Sequence, residues 1–192
     1  MPWHDFLSLM LINMSAGLFV VAGWLICGVN NPNGRGWAPA LAAAGTIALV
    51  GGAVLTFTWP FTAKGVVFAN FAFGEPSMLL GVALLAASVS IGKQWPVWPV
   101  AIYAFVVGLA GIVIGLRIMN LGLTAAPLIS GLGMIGTGLV GVLSLPALAC
   151  VAGCRVLRYI TAVLAILMGV LWGFTGLMAY WAHVMLSAKL GA

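Results

Sequence analysis

Residues 6–29 read FLSLMLINMSAGLFVVAGWLICGV and contain no charged side chain. A helix needs about 20 apolar residues to cross a bilayer, because the hydrocarbon core is about 30 Å thick and a helix rises 1.5 Å per residue. A transmembrane barrel would instead show alternating segments of about 10 residues. This continuous run therefore predicts a transmembrane helix.

Five further apolar runs follow the first and predict the rest of the fold. They cover residues 38–59, 75–92, 98–117, 126–151 and 158–184. We therefore predict an all-α integral membrane protein of six transmembrane helices, arranged as three helical hairpins in one domain over residues 1–192. Trp37, Trp98 and Tyr159 lie 61 residues apart near the starts of the even-numbered helices, which indicates a faint internal repeat.

The composition excludes most other classes of protein. Of the 192 residues, 64% are hydrophobic and 5% are charged, whereas an average soluble domain carries roughly 25% charged residues. The net charge of +5 comes from seven scattered cations. Without a basic patch, this charge does not indicate a nucleic-acid partner. We therefore expect the protein to be embedded in the lipid bilayer.

Six helices place both termini on one side of the membrane, which we call side A, and the opposite side is side B. Positive charge is more frequent on the cytoplasmic side of membrane proteins, and free thiols persist in a reducing cytosol. We therefore expect side B to be cytoplasmic and both termini to lie outside the inner membrane of a prokaryote. Side B carries Arg35, Lys93, Arg155, Arg158 and the three cysteines, and side A carries Lys64, Arg117 and Lys189.

Glu75 is predicted to stand where the third helix begins, with Pro76 in its first turn. An acid at this position is stabilised by the helix dipole, which is a sufficient structural explanation. The functional interpretation is an acid at the outer mouth of a pore. Trp172 falls in the middle of a helix, and Asn13 and Tyr103 are mild polar groups within the membrane. We predict that Glu75, Trp172, Asn13 and Tyr103 line the path of a small neutral solute.

A metal site is the alternative interpretation. His4, Asp5, Glu75 and His183 all belong to side A, and imidazole and carboxylate ligands suit copper or zinc. A third hypothesis is a non-catalytic subunit of a larger membrane complex, or a homo-oligomer. No nucleotide-binding or metalloprotease motif occurs in the chain, so the sequence does not indicate an enzyme.

Two short motifs suggest relatives. Thr58-Trp59-Pro60 and Phe73-Gly74-Glu75-Pro76, with Leu79-Leu80-Gly81, resemble a family of small six-span prokaryotic membrane proteins of unknown function. This resemblance extends over most of the chain. It implies the six-helix fold and no particular activity.

The second motif also has a looser similarity to the amide/urea channel family. Those proteins open their third span with a comparable stretch, and residues 165–171 (AILMGVL) are similar to a stretch in their last span. The resemblance implies exterior termini, a pore through each protomer and a ring-shaped oligomer. Met168 stands where the urea channels carry an acid, and the histidine-rich exterior loop of the acid-gated members is missing.

Overall fold

The computed structural model of the protein describes residues 6–62, 67–149 and 155–190, with side chains described to residue 185. Six long helices account for most of these residues, and no strand occurs among them. Each helix is long and apolar enough to cross a membrane, so the six-helix prediction is confirmed. The helices are α1 (Phe6–Gly23), α2 (Ala38–Thr58), α3 (Phe68–Lys93), α4 (Trp98–Leu121), α5 (Pro127–Ala149) and α6 (Arg155–Leu190).

The third helix begins seven residues earlier than the sequence predicts. α3 starts at Phe68, so Glu75 and Pro76 lie inside the helix and not in its first turn. The reason is Asn70, whose fully buried amide donates to the carbonyl of Phe61 at 2.7 Å and accepts from its N–H at 3.1 Å. These bonds tie the preceding segment to the new helix start. The predicted stabilisation of Glu75 by the helix dipole is therefore wrong, because that effect is confined to the first turn.

The six helices form a closed ring in chain order. Each helix packs against the helices before and after it, and α6 packs against α1. Packing is closest in the pairs α2/α3, α4/α5 and α6/α1, and it is lighter in α1/α2, α3/α4 and α5/α6. The closest contacts therefore fall between the predicted hairpins and not within them.

Small residues explain why these three pairs are close. In each pair, a glycine carbonyl oxygen of the even-numbered helix meets a small residue of the odd-numbered helix. For a glycine partner, the distance is measured to the position that a Cβ atom would take. Such contacts let helix backbones approach each other in a membrane. The pairs are Gly45 with Gly81 (2.8 Å), Gly108 with Gly138 (2.5 Å) and Gly169 with the donating hydroxyl of Ser15 (2.7 Å). We call Ser15, Gly81 and Gly138 the anchor residues.

The end of the ring on side B is shaped by two tryptophans. α1 continues into a π-helical turn, Trp24–Gly28, and Trp24 is buried. The Trp37 ring covers Gly23, where an added Cβ would lie 2.6 Å from ring atom Cζ3. When the side-chain amide of Asn30 is oriented with its oxygen toward Arg158, this oxygen accepts hydrogen bonds at 3.2 Å from both terminal nitrogens of the Arg158 guanidinium. These contacts join the start of α6 to the α1–α2 connection.

Replacing an anchor glycine is expected to destabilise the ring. In Gly81→Ala, the new Cβ would lie 2.7 Å from Leu49 Cα and 2.8 Å from Gly45 O, and neither backbone atom can move alone. We expect the free energy of unfolding to fall by about 1–3 kcal/mol. Gly92→Ala, on the same helix, is the control, because its new Cβ would contact only Ala38 Cβ at 3.7 Å. We expect it to change the free energy of unfolding by less than about 0.5 kcal/mol. Reversible unfolding in detergent measures both variants; equal stability would contradict the role of the contact.

Candidate functional site

A partly open apolar cavity of about 140 Å³ lies between the helices of the ring. Its walls come from α1, α3, α4 and α5, with Leu41 of α2. Among the lining residues, Thr137, Ser144 and Trp24 carry a side-chain oxygen or nitrogen atom, and none is charged. The cavity wall therefore contains two hydroxyl groups and one indole N–H in an otherwise apolar surface.

The odd-numbered helices present equivalent positions to this cavity. On α1, α3 and α5, the residue immediately before the anchor residue and those two, three and six positions after it all line the wall. In the order α1, α3, α5, the sets are Met14, Leu80, Thr137; Gly17, Ala83, Val140; Leu18, Leu84, Gly141; and Val21, Ala87, Ser144. The three small-residue contacts thus give the three helices the same rotation toward the centre. This agrees with an internal threefold repeat.

Trp172 lies directly behind the cavity wall. Its side chain is 1% exposed, and its indole Nε1–H donates to the Thr137 hydroxyl oxygen at 2.8 Å. Gly133 makes room for the ring, because an added Cβ there would lie 2.6 Å from Trp172 Cζ2. Trp172 does not itself line the cavity, so it acts on the cavity through Thr137.

Asn13 lies beside a smaller cavity that continues toward side A. This second cavity, between α1, α2 and α3, shares Met14 and Leu80 with the first and adds Ser77. The buried Asn13 amide donates to the carbonyl of Ala44 at 2.9 Å, which links α1 to α2. The structure therefore brings Asn13 close to the side A end of the central cavity.

Glu75 and Tyr103 lie outside the cavity wall. Both side chains are exposed on the described structure. Pro76 and Ala104, the residues that follow them, do line the cavity. A step of one residue turns the side-chain direction by about 100° around a helix, which moves both side chains toward the outer surface. Neither side chain lines this cavity, and the roles of Glu75 and Tyr103 along a solute path stay predictions.

The predicted metal site is only partly described. His4 and Asp5 lie outside the described residues. Within residues 6–62, 67–149 and 155–190, no group of three or more His, Cys, Asp or Glu side chains is close enough to hold a metal ion. Glu75 and His183 belong to α3 and α6, which are not neighbours in the ring. The copper or zinc site stays a prediction.

Thr137 and Ser144 are the cavity residues that the sequence interpretation missed. The useful signal was the seven-residue spacing of glycines on the odd-numbered helices α3 and α5. Gly74 and Gly81 repeat in this way on α3, and Gly131 and Gly138 do so on α5. Aligning these pairs places Thr137 opposite Leu80, at a position facing the centre of the ring.

The family of the chain follows from a comparison with known proteins. The family model described as "Protein of unknown function (DUF981)" matches residues 1–185. The chain belongs to the DUF981 family. No curated protein and no solved structure matches the chain. The resemblance to a membrane protein family of unknown function is thus confirmed, and the looser similarity to amide/urea channels stays a prediction. In this DUF981 protein, Met168 packs its sulfur atom against Gly136 of α5.

Substitutions of Trp172 are expected to separate its packing from its hydrogen bond. Trp172→Phe keeps an aromatic ring but loses the donor to Thr137, which should lower the free energy of unfolding by about 1 kcal/mol. Trp172→Ala also removes most of the buried ring, and we expect a loss of about 3–5 kcal/mol. Unfolding of both variants in the same detergent gives the comparison. Equal losses would show that the buried ring adds nothing beyond the hydrogen bond, because both variants lack the donor.

Proposed function

We propose that this DUF981 protein takes up a small uncharged solute in its central cavity and lets it pass between the two sides of the membrane. The observation that supports the proposal is the central cavity, whose mainly apolar wall carries two hydroxyl groups, one indole N–H and no charged residue. Moving an ion into such surroundings without a partner is strongly unfavourable. The solute is therefore uncharged.

The volume limits the size of the solute. An engineered apolar protein cavity of about 150 Å³ stays dry and binds benzene, and the cavity here measures about 140 Å³. We infer that the solute is comparable in size to benzene or to a slightly larger six-membered ring. Larger lipids and cofactors would not fit without movement of the helices.

The route follows the axis of the ring. Toward side B, the cavity wall extends to Trp24, Val97 and Leu148, near the ends of their helices. Toward side A, the second cavity beside Asn13 and Ser77 continues the line. Glu75 is proposed to stand at the outer rim of the side A mouth, one residue before the cavity residue Pro76, with its side chain exposed. With side A outside the cell, this mouth faces the exterior.

The first experiment measures solute permeability. Purified protein is placed in liposomes, and swelling is followed for urea, acetamide and glycerol, with ammonia followed by an internal pH dye. Empty liposomes are the control. Selective acceleration for one small neutral solute supports the proposal. Folded protein that gives no acceleration above the control would contradict it.

Two neighbouring valines offer a matched test of the route. Val107 lines the cavity, whereas Val106 on the same helix is 61% exposed on the outer surface. Val107→Trp is expected to lower the protein-dependent flux by about 10-fold, because the indole fills the narrow space. Val106→Trp should leave the flux within about 2-fold of the original, because its ring extends into lipid. Equal flux through the two variants would exclude the central route.

Glu75→Gln tests the proposed mouth. The carboxylate is exposed, so its removal should change the free energy of unfolding by less than about 0.5 kcal/mol. We expect the flux to change by about 2-fold and to lose part of its pH dependence, because glutamine carries no charge at any pH. Lys93→Gln, at the opposite end of α3, is the control. An unchanged flux and pH profile in Glu75→Gln would remove Glu75 from the path.

A further inference from the structure

Thr137 is the threonine of the described transmembrane helices whose hydroxyl group is bonded to a different helix; the Thr56 hydroxyl has no partner in the described structure. Four threonines donate to the carbonyl four residues earlier in their own helix, at 2.7–2.8 Å; they are Thr46, Thr58, Thr161 and Thr175. Such bonds are the usual way for a helix in lipid to satisfy a hydroxyl group. Thr137 makes no such bond in the described structure and accepts from Trp172 Nε1 at 2.8 Å.

The Trp172 hydrogen bond leaves the Thr137 hydroxyl proton available. The indole N–H can only donate, so the Thr137 oxygen is the acceptor and its own proton is not used in that bond. Within the described part of the chain, this proton has no protein acceptor. The Thr137 side chain is half-buried and lines the cavity, so its proton is accessible to a molecule held there. An occupant with an acceptor atom would receive a hydrogen bond from this proton.

The residues equivalent to Thr137 on α1 and α3 carry no hydrogen-bond donor, so Thr137 is the one donor in this layer of the cavity wall. Met14 on α1 and Leu80 on α3 stand at the same distance from their anchor residues, and both are apolar. The other lining hydroxyl, Ser144, donates to the Val140 carbonyl at 2.7 Å. Ser144 can therefore only accept from an occupant. In this layer, one face of the cavity can donate a hydrogen bond and two faces are apolar. The remaining side-chain donor of the wall, the indole N–H of Trp24, lies toward the side B end.

We propose that the cavity selects an uncharged molecule with an apolar body and one acceptor oxygen of the carbonyl type, and that Thr137 donates to this oxygen. The inference rests on the cavity of the proposed function and adds the chemical class of the occupant. Trp172 is a positioning residue, because its N–H keeps the Thr137 hydroxyl from turning back to its own helix. Carboxylates and ammonium ions are excluded by the absence of a charged lining residue.

Two probes of nearly the same shape test this selection. Cyclohexanone carries the acceptor oxygen, and methylcyclohexane does not. Their binding to the full chain in lipid nanodiscs is measured by equilibrium partition, with empty nanodiscs subtracted. Thr137→Val should weaken cyclohexanone binding by about 3- to 10-fold, the usual effect of one hydrogen bond. Methylcyclohexane binding should change by less than about 2-fold, because its contacts are apolar.

Three further variants separate the donor role from structure. Thr137→Ser keeps the hydroxyl group and should keep the preference for cyclohexanone. Thr161→Val removes a hydroxyl that is bonded within its own helix and should leave the preference unchanged. Trp172→Phe retains Thr137 but frees it to bond the Gly133 carbonyl. This variant should lose the preference even though the hydroxyl is present, and it keeps the test usable if Thr137→Val does not fold.

The outcomes distinguish this inference from the proposed passage. A preference for cyclohexanone that disappears in Thr137→Val and Trp172→Phe supports the inference, even in a protein that shows no flux. Solute flux without any difference between the two probes overturns the inference and leaves the passage standing. Equal weakening of both probes in Thr137→Val also overturns it, because a purely structural role would act on both. Binding of neither probe overturns it as well.

Discussion

The close approach of helix backbones at three small-residue contacts is the constraint on which the rest of this structure depends. Helices in lipid gain little from the hydrophobic effect when they associate, so close packing and hydrogen bonds hold them together. Gly81 and Gly138 each receive a glycine carbonyl where a side chain would otherwise stand, and Ser15 donates a hydrogen bond to the third carbonyl. Larger residues at these points would separate the pairs.

These contacts also determine what the centre of the ring contains. Once the anchor residues face the neighbouring even-numbered helix, the rotation of α1, α3 and α5 about their axes is fixed. The positions beside each anchor residue then turn toward the centre, and they are filled mainly by Leu, Val, Ala and Gly. Because these side chains are modest in size, the centre retains a cavity.

The chemistry of the cavity follows from two positions at which α5 differs from α1 and α3. α5 carries hydroxyl groups at two positions where α1 and α3 carry apolar residues. Trp172 on α6 is packed against α5 at Gly133 and bonds to one of these groups. The hydroxyl groups therefore make the α5 side of the cavity more polar than the α1 and α3 sides. A ring with nearly equivalent helices requires such a difference to orient an asymmetric occupant.

Sequence alone determined the class of this protein and the number of its helices. Six uncharged runs of about bilayer length have no other stable arrangement in lipid, because every backbone polar group must be paired within the chain. The apolar runs did not predict where α3 starts. Its start depends on hydrogen bonds between the Asn70 side chain and the backbone of Phe61, nine residues earlier in the chain. The runs also did not predict the exposed positions of Glu75 and Tyr103. Runs without amphipathic character do not reveal which face of a helix points inward. Only the tertiary structure decided which residues line the cavity, because the rotation of each helix is set by contacts with residues far away in the chain.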